Sequence, residues 1–212
     1  MSKYIKKLIE QGEHQQLDFK FEISDSRKIA RTLVAFTNTK GGKILVGVKD
    51  NGVIAGIRSD EEYYMIEAAA TLYSRPEVKF TTREWDIDGK IVLEVDIPPS
   101  NHRPHLAPYK DNLWKAYIRV DDQNLLANRI LLKTWELSGI EKNVTIRYRE
   151  EEKFLMEYLE KKNRITFSQF CRIGGIPRQK AETILINFIL LKIITMEITE
   201  KQVYYRIAET NS

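Results

Sequence analysis

Between Ser26 and Phe36 apolar side chains recur at helical spacing: Ile29, Leu33 and Phe36 share a face, with Ala30 and Val34 beside them. The pattern predicts a helix ended by Asn38 and the Gly41-Gly42 pair, because glycine accepts the positive φ that a helix end or the following turn demands. Ile44, Leu45, Val46 and Val48 then form a short, nearly continuous apolar run, as expected of a strand covered on both faces. Asp50-Asn51-Gly52 signals a tight hairpin, so Val53 to Ile57 is expected to return antiparallel.

The flanking segments extend this unit. Ile5, Leu8 and Ile9 mark a short helix closed by Gly12. Leu17, Phe19 and Phe21 alternate with Asp18, Lys20 and Glu22, which predicts a half-buried strand with Asp18 and Lys20 on its polar face and Glu13 in the turn before it. Ser59 to Arg75 reads as a helix with Tyr64, Ala68 and Leu72 on one face, and Val78 to Ile87 with Lys90 to Ile97 as a hairpin around Asp88-Gly89. A proline-rich loop from Pro98 to Asn112, a strand from Leu113 to Val120 and a helix from Asn124 to Trp135 complete an α+β order.

Beyond Ser138-Gly139 the chain becomes highly charged around Arg149 to Glu152, and two domains are expected, 1–139 and 140–212. In the second, Phe154, Leu155, Tyr158 and Leu159 are helix-spaced, and Ile165 can begin a small strand. Thr166-Phe167-Ser168-Gln169 fits a capping box, and Pro177 suits the start of a third helix. Ala181, Ile184, Leu185, Phe188 and Ile189 give that helix a buried face. Ile193 to Ile198 and Gln202 to Ile207 follow as a hairpin. Three helices followed by a hairpin is the order of a winged helix.

Composition narrows the classes. Of 212 residues, 42% are hydrophobic and 30% charged, which suits a globular chain. A net charge of +4 agrees with a nucleic-acid partner but is mild, most cations being balanced by Asp and Glu. The one cysteine, Cys171, excludes an internal disulfide or a cysteine-rich zinc module. No apolar run reaches membrane-spanning length, and a cytoplasmic protein is expected. His102 and His105 flank Pro104 with no cysteine nearby, and are read as loop histidines rather than half a metal site.

Two stretches carry candidate chemistry. On the third helix of the tail, Arg178, Gln179, Lys180, Thr183 and Asn187 face outward and suit phosphate and base-edge contacts in a DNA major groove. Glu182 and Glu197 offset their charge, which leaves a protein-binding role open. At the glycine corner, the amides of Thr39 to Gly42, helped by Lys40 and Lys43, suit an anion site; the alternative is a turn that simply needs glycine. Gly41-Gly42-Lys43 lacks the spacing of a triphosphate-wrapping loop, so ATP is not expected.

The stretch GEHQQLDFKFE, followed by LVAFTNTKGGKILVGVKDNGVIAGI, resembles the Schlafen AlbA_2 family, also called divergent AAA-4. The family pattern of an acidic residue, an acidic-Phe-Lys strand, A-F-x-N-T-x-G-G and G-V-x-D-x-G-x-I-x-G falls on Glu13, on Asp18-Phe19-Lys20, on Ala35 to Gly42 and on Gly47 to Gly56. Tyr117-Ile118-Arg119-Val120 resembles the later Y-I-R-V strand, though Asp121-Asp122 stands where the family usually continues with Gly-Ser. The resemblance implies an α+β, AlbA_2-like domain associated with nucleic acids. Bacterial relatives commonly join it to a C-terminal winged helix and are described as transcriptional regulators. Vertebrate relatives include metal-dependent RNA nucleases with three carboxylates, which align with Glu13, Asp18 and Asp50. Such a trio would hold Mg²⁺ or Mn²⁺, with Lys20 steadying developing charge. Asp18 is one methylene shorter than the usual Glu.

The expectation is therefore a DNA-binding regulator, acting as a homodimer on paired half-sites. Its contacts would come from Lys20, Lys40, Gly41, Gly42, Lys43 and Arg119 in the first domain and from the third helix of the second. A metal-dependent endoribonuclease and a protein-interaction module are the alternatives.

Overall fold

The computed structural model describes residues 2–110, 113–138 and 149–209. Contacts within the chain divide it into two units, Met1–Ala127 and Asn128–Ser212. The first unit runs α1 (Ser2–Gln11), β1 (Leu17–Lys20), α2 (Ser26–Thr37), β2 (Gly42–Val46), α3 (Glu61–Thr71), β3 (Thr81–Ile87), β4 (Lys90–Ile97), β5 (Ala107–Pro108), β6 (Trp114–Lys115), β7 (Tyr117–Val120) and β8 (Gln123–Leu126). The second runs α4 (Arg129–Ser138), α5 (Glu150–Lys162), β9 (Ile165–Thr166), α6 (Phe167–Ile173), α7 (Arg178–Leu190), β10 (Ile194–Ile198) and β11 (Val203–Ile207). The fold is α+β.

The first unit is built on a four-stranded sheet of order β1-β2-β4-β3, with β1 parallel to β2 and the other pairs antiparallel. Asp25 starts α2 by accepting from the amides of Arg27 and Lys28 at 2.8 and 3.2 Å. On one side of the sheet, Leu33, Val34 and Phe36 of α2 pack with Ile44, Val46, Val95 and the Ile66 and Ala69 of α3. On the other, Leu45 and Val48 meet Ile5, Leu17, Phe19, Trp85 and Ile87. The central strand is thus covered on both faces, as its unbroken apolar run requires.

Several segments depart from the sequence reading. The return strand after Asp50-Asn51-Gly52 is reduced to one bridge, Val48 to Ile54, because Gly47 and Gly56 cross at close range and the chain swings to β4, where Ile57 N donates to Ile91 O at 2.7 Å. In α3 the buried face is Glu62, Ile66, Ala69 and Ala70, while Tyr64 and Leu72 are exposed. Small side chains let α3 approach α2, and the bulky stripe turns outward. Asn124 to Leu126, expected as helix, pairs instead with β7 across an Asp121 held at φ 52°. The polar face of β1 is not solvated: Asp18 is buried.

In the second unit α5, α6 and α7 enclose a core of Leu155, Leu159, Phe170, Leu185, Phe188 and Tyr205. A three-stranded antiparallel sheet of order β10-β11-β9 flanks them. The capping box forms: Gln169 N donates to Thr166 Oγ1 at 3.2 Å, and Thr166 N to Gln169 Oε1 at 2.9 Å. The helix expected to close the first domain, found at α4, packs with α7, placing Ile130 in the second core. The units part between Ala127 and Asn128 rather than at 139/140. Residues 139–148 lie outside the described residues.

Candidate functional site

β1 brings its carboxylate under the β7–β8 hairpin. Asp18 Oδ1 lies 2.9 Å from Arg119 Nη2, and Lys20 Nζ stands 2.6 Å from Asp18 Oδ2 as an ion pair whose angles fall outside hydrogen-bond geometry. The Arg119 side chain is only 1% exposed, and that of Asp18 5%. Arg119 also donates to Leu17 O at 3.3 Å and Asn124 Oδ1 at 3.2 Å, with its guanidinium over the Phe36 ring. It is a clamp between β1, α2 and β7, and it reaches no phosphate from there. That corrects its expected nucleic-acid role: the Y-I-R-V strand faces inward at this position.

Glu13 closes the same corner from the preceding turn, accepting from Phe19 N at 2.8 Å, with Lys20 Nζ 4.0 Å away. Burial pushes the Glu13 carboxyl above its ordinary value; the Phe19 amide opposes this and the neighbouring Asp18 adds to it. Asp50 is exposed in the turn after Val48. Among the described residues no three His, Cys, Asp or Glu side chains are grouped to hold a metal ion. The expected trio does not fit Mg²⁺ or Mn²⁺ here. Asp18, its buried member, already faces a guanidinium and an ammonium, which supply the positive charge a cation would bring.

The glycine corner is likewise spent on structure. Thr39 N and Gly41 N both donate to Phe36 O, at 3.0 and 2.9 Å, and Lys43 N donates to Gln16 O at 2.8 Å. A Cβ on Gly41, at φ +71°, would stand 2.6 Å from Ile97 O, and one on Gly42 2.6 Å from the Phe36 ring. Thr39 N and Gly41 N, two of the four amides of the expected anion cradle, are thus taken up within the turn, which favours the tight-turn reading. Lys43 is engaged as well, with Glu94 at 2.9 Å and Asp96 at 3.1 Å. Burial works to lower its pKa, but these two carboxylates hold it well above the usual lysine range. Lys40 is exposed, its carbonyl accepting from Gln16 Nε2 at 3.0 Å.

The tail presents a different surface. Ala181, Ile184, Leu185, Ile186 and Phe188 of α7 are buried, whereas Arg178, Gln179 and Thr183 are exposed and Asn187 half-buried. Gln179, Thr183 and Asn187 follow one another at intervals of four along one stripe. Arg178 lies over the Phe167 ring at 5.0 Å, Thr183 Oγ1 donates back to Gln179 O at 3.0 Å, and Lys180 pairs with Glu151 of α5. Glu182 is neutralised by Arg129 at 2.9 Å. Sequence reasoning missed that pair, since nothing local to residue 182 signals a partner on α4. Beside the N-terminal turn of α7 lies a cleft of about 660 Å³, bordered by Arg129, Phe167, Arg178, Gln179, Gln202 and Tyr205.

His102 and His105 part company: His102 is exposed, while His105 is buried with Nδ1 3.0 Å from Pro76 O, and burial lowers its pKa. Cys171 is half-buried against the second core. Among the described residues no helix is long and apolar enough to cross a membrane.

The first unit thus defines an α+β class in which a glycine-cornered helix-to-strand turn and an inward acid–arginine pair lock a parallel strand onto the central one. Residues 13–128 match the family model Schlafen, AlbA_2. The match takes in more than half of the 212 residues, and the chain belongs to the Schlafen AlbA_2 family. Two solved structures are similar. The DIP2311 protein of Corynebacterium diphtheriae shares 20% identity at a TM-score of 0.44, over 58% of this chain and 27% of that one. The N-terminal domain of a RecG-related protein of Nitrosomonas europaea shares 20% identity at a TM-score of 0.40, over 59% of this chain and 95% of that domain. The first match therefore spans about a quarter of its relative's length.

Proposed function

We propose that the chain is a DNA-binding regulator whose second unit is a winged helix that lays α7 in the major groove. The observation that carries this is the polar stripe of Gln179, Thr183 and Asn187 on a helix whose opposite face is core. Gln179 and Asn187, amide side chains about two turns apart with the Thr183 hydroxyl between them, suit adenine edges, and Arg178 at the helix start suits a phosphate or guanine. The α-β-α-α-β-β order of α5 to β11 supports the winged-helix reading, with β10 and β11 as the wing. Arg129 supports it further by cancelling Glu182, the one carboxylate of α7. A cytoplasmic homodimer reading two half-sites accords with this class of regulator.

Selection of bound duplexes from a random pool, followed by a salt series on the full chain, tests the reading. Affinity is expected to fall steeply with salt. Arg178→Ala should reduce the slope of log K against log salt by about 1 if it meets a phosphate. Gln179→Ala should relax the selected sequence at an unchanged slope. Duplex binding without salt dependence, or none at all, overturns the proposal.

A further inference from the structure

The charged side chains described so far are mostly spoken for: Lys20, Lys43, Arg119, Arg129 and Lys180 each face a carboxylate. One surface of the first unit is different. Arg27 and Arg31, one turn apart on α2, and Arg75, after α3, make no ion pair among the described residues; each lies over an aromatic ring instead. Arg27 Cζ is 5.4 Å from the Tyr73 ring centre, Arg31 Cζ 5.8 Å from that of Tyr117, and Arg75 Cζ 3.9 Å from that of Trp114.

These pairs form one continuous patch. Arg31 donates to Pro108 O at 2.9 Å and Tyr109 O at 3.0 Å, which ties α2 to β5. Pro108 is paired with Trp114 across β5–β6, and Trp114 carries Arg75. Arg75 in turn bridges Leu106 through both backbone hydrogen bonds and stands two residues from Tyr73, under Arg27. Arg27 and Arg75 are exposed and Tyr73 and Trp114 half-buried, so these two pairs are open at the surface, whereas the half-buried Arg31 lies over a buried Tyr117 and braces the patch from beneath.

We propose that this patch binds single-stranded nucleic acid, independently of the duplex contacts assigned to α7. Guanidiniums without a carboxylate attract phosphates, and the accessible Tyr73 and Trp114 rings beside Arg27 and Arg75 offer a base a surface to stack on. A duplex hides its base faces, so stacking selects single strands over paired ones. The packing also lowers the cost of binding, because the long arginine side chains are already held in place.

The test is fluorescence anisotropy of the full chain with a labelled oligonucleotide of about 12 residues, a length within the usual span of such sites. DNA and RNA versions of one sequence, and its duplex, form separate arms. The single strands are expected to bind in both sugar chemistries. Arg27→Gln with Arg75→Gln should weaken single-strand binding about tenfold or more and reduce the salt slope by about 1.4, two contacts at about 0.7 each. Trp114→Leu keeps apolar bulk and should weaken binding about fivefold or more through lost stacking, at an unchanged slope. Arg178→Ala should leave single-strand binding alone, while Arg27→Gln with Arg75→Gln leaves duplex binding by α7 alone, so the two proposals fail separately. Single-strand affinity unaffected by the arginine pair overturns the inference. So does equal competition by polyglutamate, which would mark the patch as a seat for acidic protein.

Discussion

Arg119 Nη2 meets Asp18 Oδ1 at 2.9 Å inside the first unit, a charged pair held between strands more than a hundred residues apart in the chain. Breaking such a pair from one side leaves an uncompensated charge in a medium that solvates it poorly. Asp18→Ala is therefore expected to cost about 3 kcal/mol or more, read from urea denaturation. Adding Arg119→Met should recover most of the loss, because a neutral side chain of similar length no longer needs a counter-charge. A double variant as unstable as the single would show that the pair acts through shape rather than charge.

Glu94 gives a pH dependence of known sign. It accepts from Tyr4 Oη and Trp85 Nε1, both at 2.7 Å, and faces Lys43 at 2.9 Å. Burial alone would raise its pKa, but the bonds from Lys43, Tyr4 and Trp85 win and hold it below the ordinary glutamate value. A depressed folded-state pKa means that the contribution is complete above the unfolded-state value and disappears as pH falls through the folded-state one. Denaturant midpoints measured from neutral pH downward should show that acid loss. Glu94→Gln should cost about 1–3 kcal/mol at neutral pH and flatten the acid limb; an unchanged limb would assign the acid loss to other carboxylates.

Gly41 and Gly89 separate backbone strain from crowding. Both have positive φ, +71° and +79°, but a Cβ at Gly89 meets nothing within 4 Å, whereas one at Gly41 is driven against Ile97 O and Pro99 Cδ. Gly89→Ala should cost about 1–2 kcal/mol, the left-handed penalty alone. Gly41→Ala should cost clearly more, since a backbone carbonyl must also shift. Thermal melts that rank the two equally would mean that the corner relaxes freely.

Thr166 tests the second unit. Its side chain satisfies the Gln169 amide that opens α6, and Thr166→Ala should remove about 1 kcal/mol. A loss confined to the melting of that unit, followed by a probe such as hydrogen exchange, is the expected outcome; no loss would show that Gln169 alone supports the helix start.

Much of the fold was legible because it rests on local periodicity. The apolar spacing of Ile29, Leu33 and Phe36 fixes the inward face of α2, and the run Ile44 to Val46, between a glycine pair and a turn signal, reads as a strand covered on both sides, as found. Thr166 and Gln169 announce the capping box from three residues apart. The family motifs Ala35 to Gly42 and Gly47 to Gly56 are likewise contiguous, and the Schlafen AlbA_2 match over residues 13–128 bears out the resemblance. Where local pattern allowed two answers, it failed. Tyr64 and Leu72 are spaced like a core stripe, but only the alanine face of α3 fits against α2.

The sequence determined which segments are helix or strand wherever hydrophobic period and turn chemistry agree, since both act over a few residues. Only the tertiary structure decided what each charge does. Arg119 spends its guanidinium on Asp18, Lys43 its ammonium on Glu94 and Asp96, and Arg129 its guanidinium on Glu182, while Arg27 and Arg75 keep theirs over rings at the surface. A charge is defined by the partner within a few ångströms, and in this chain most such partners come from distant segments.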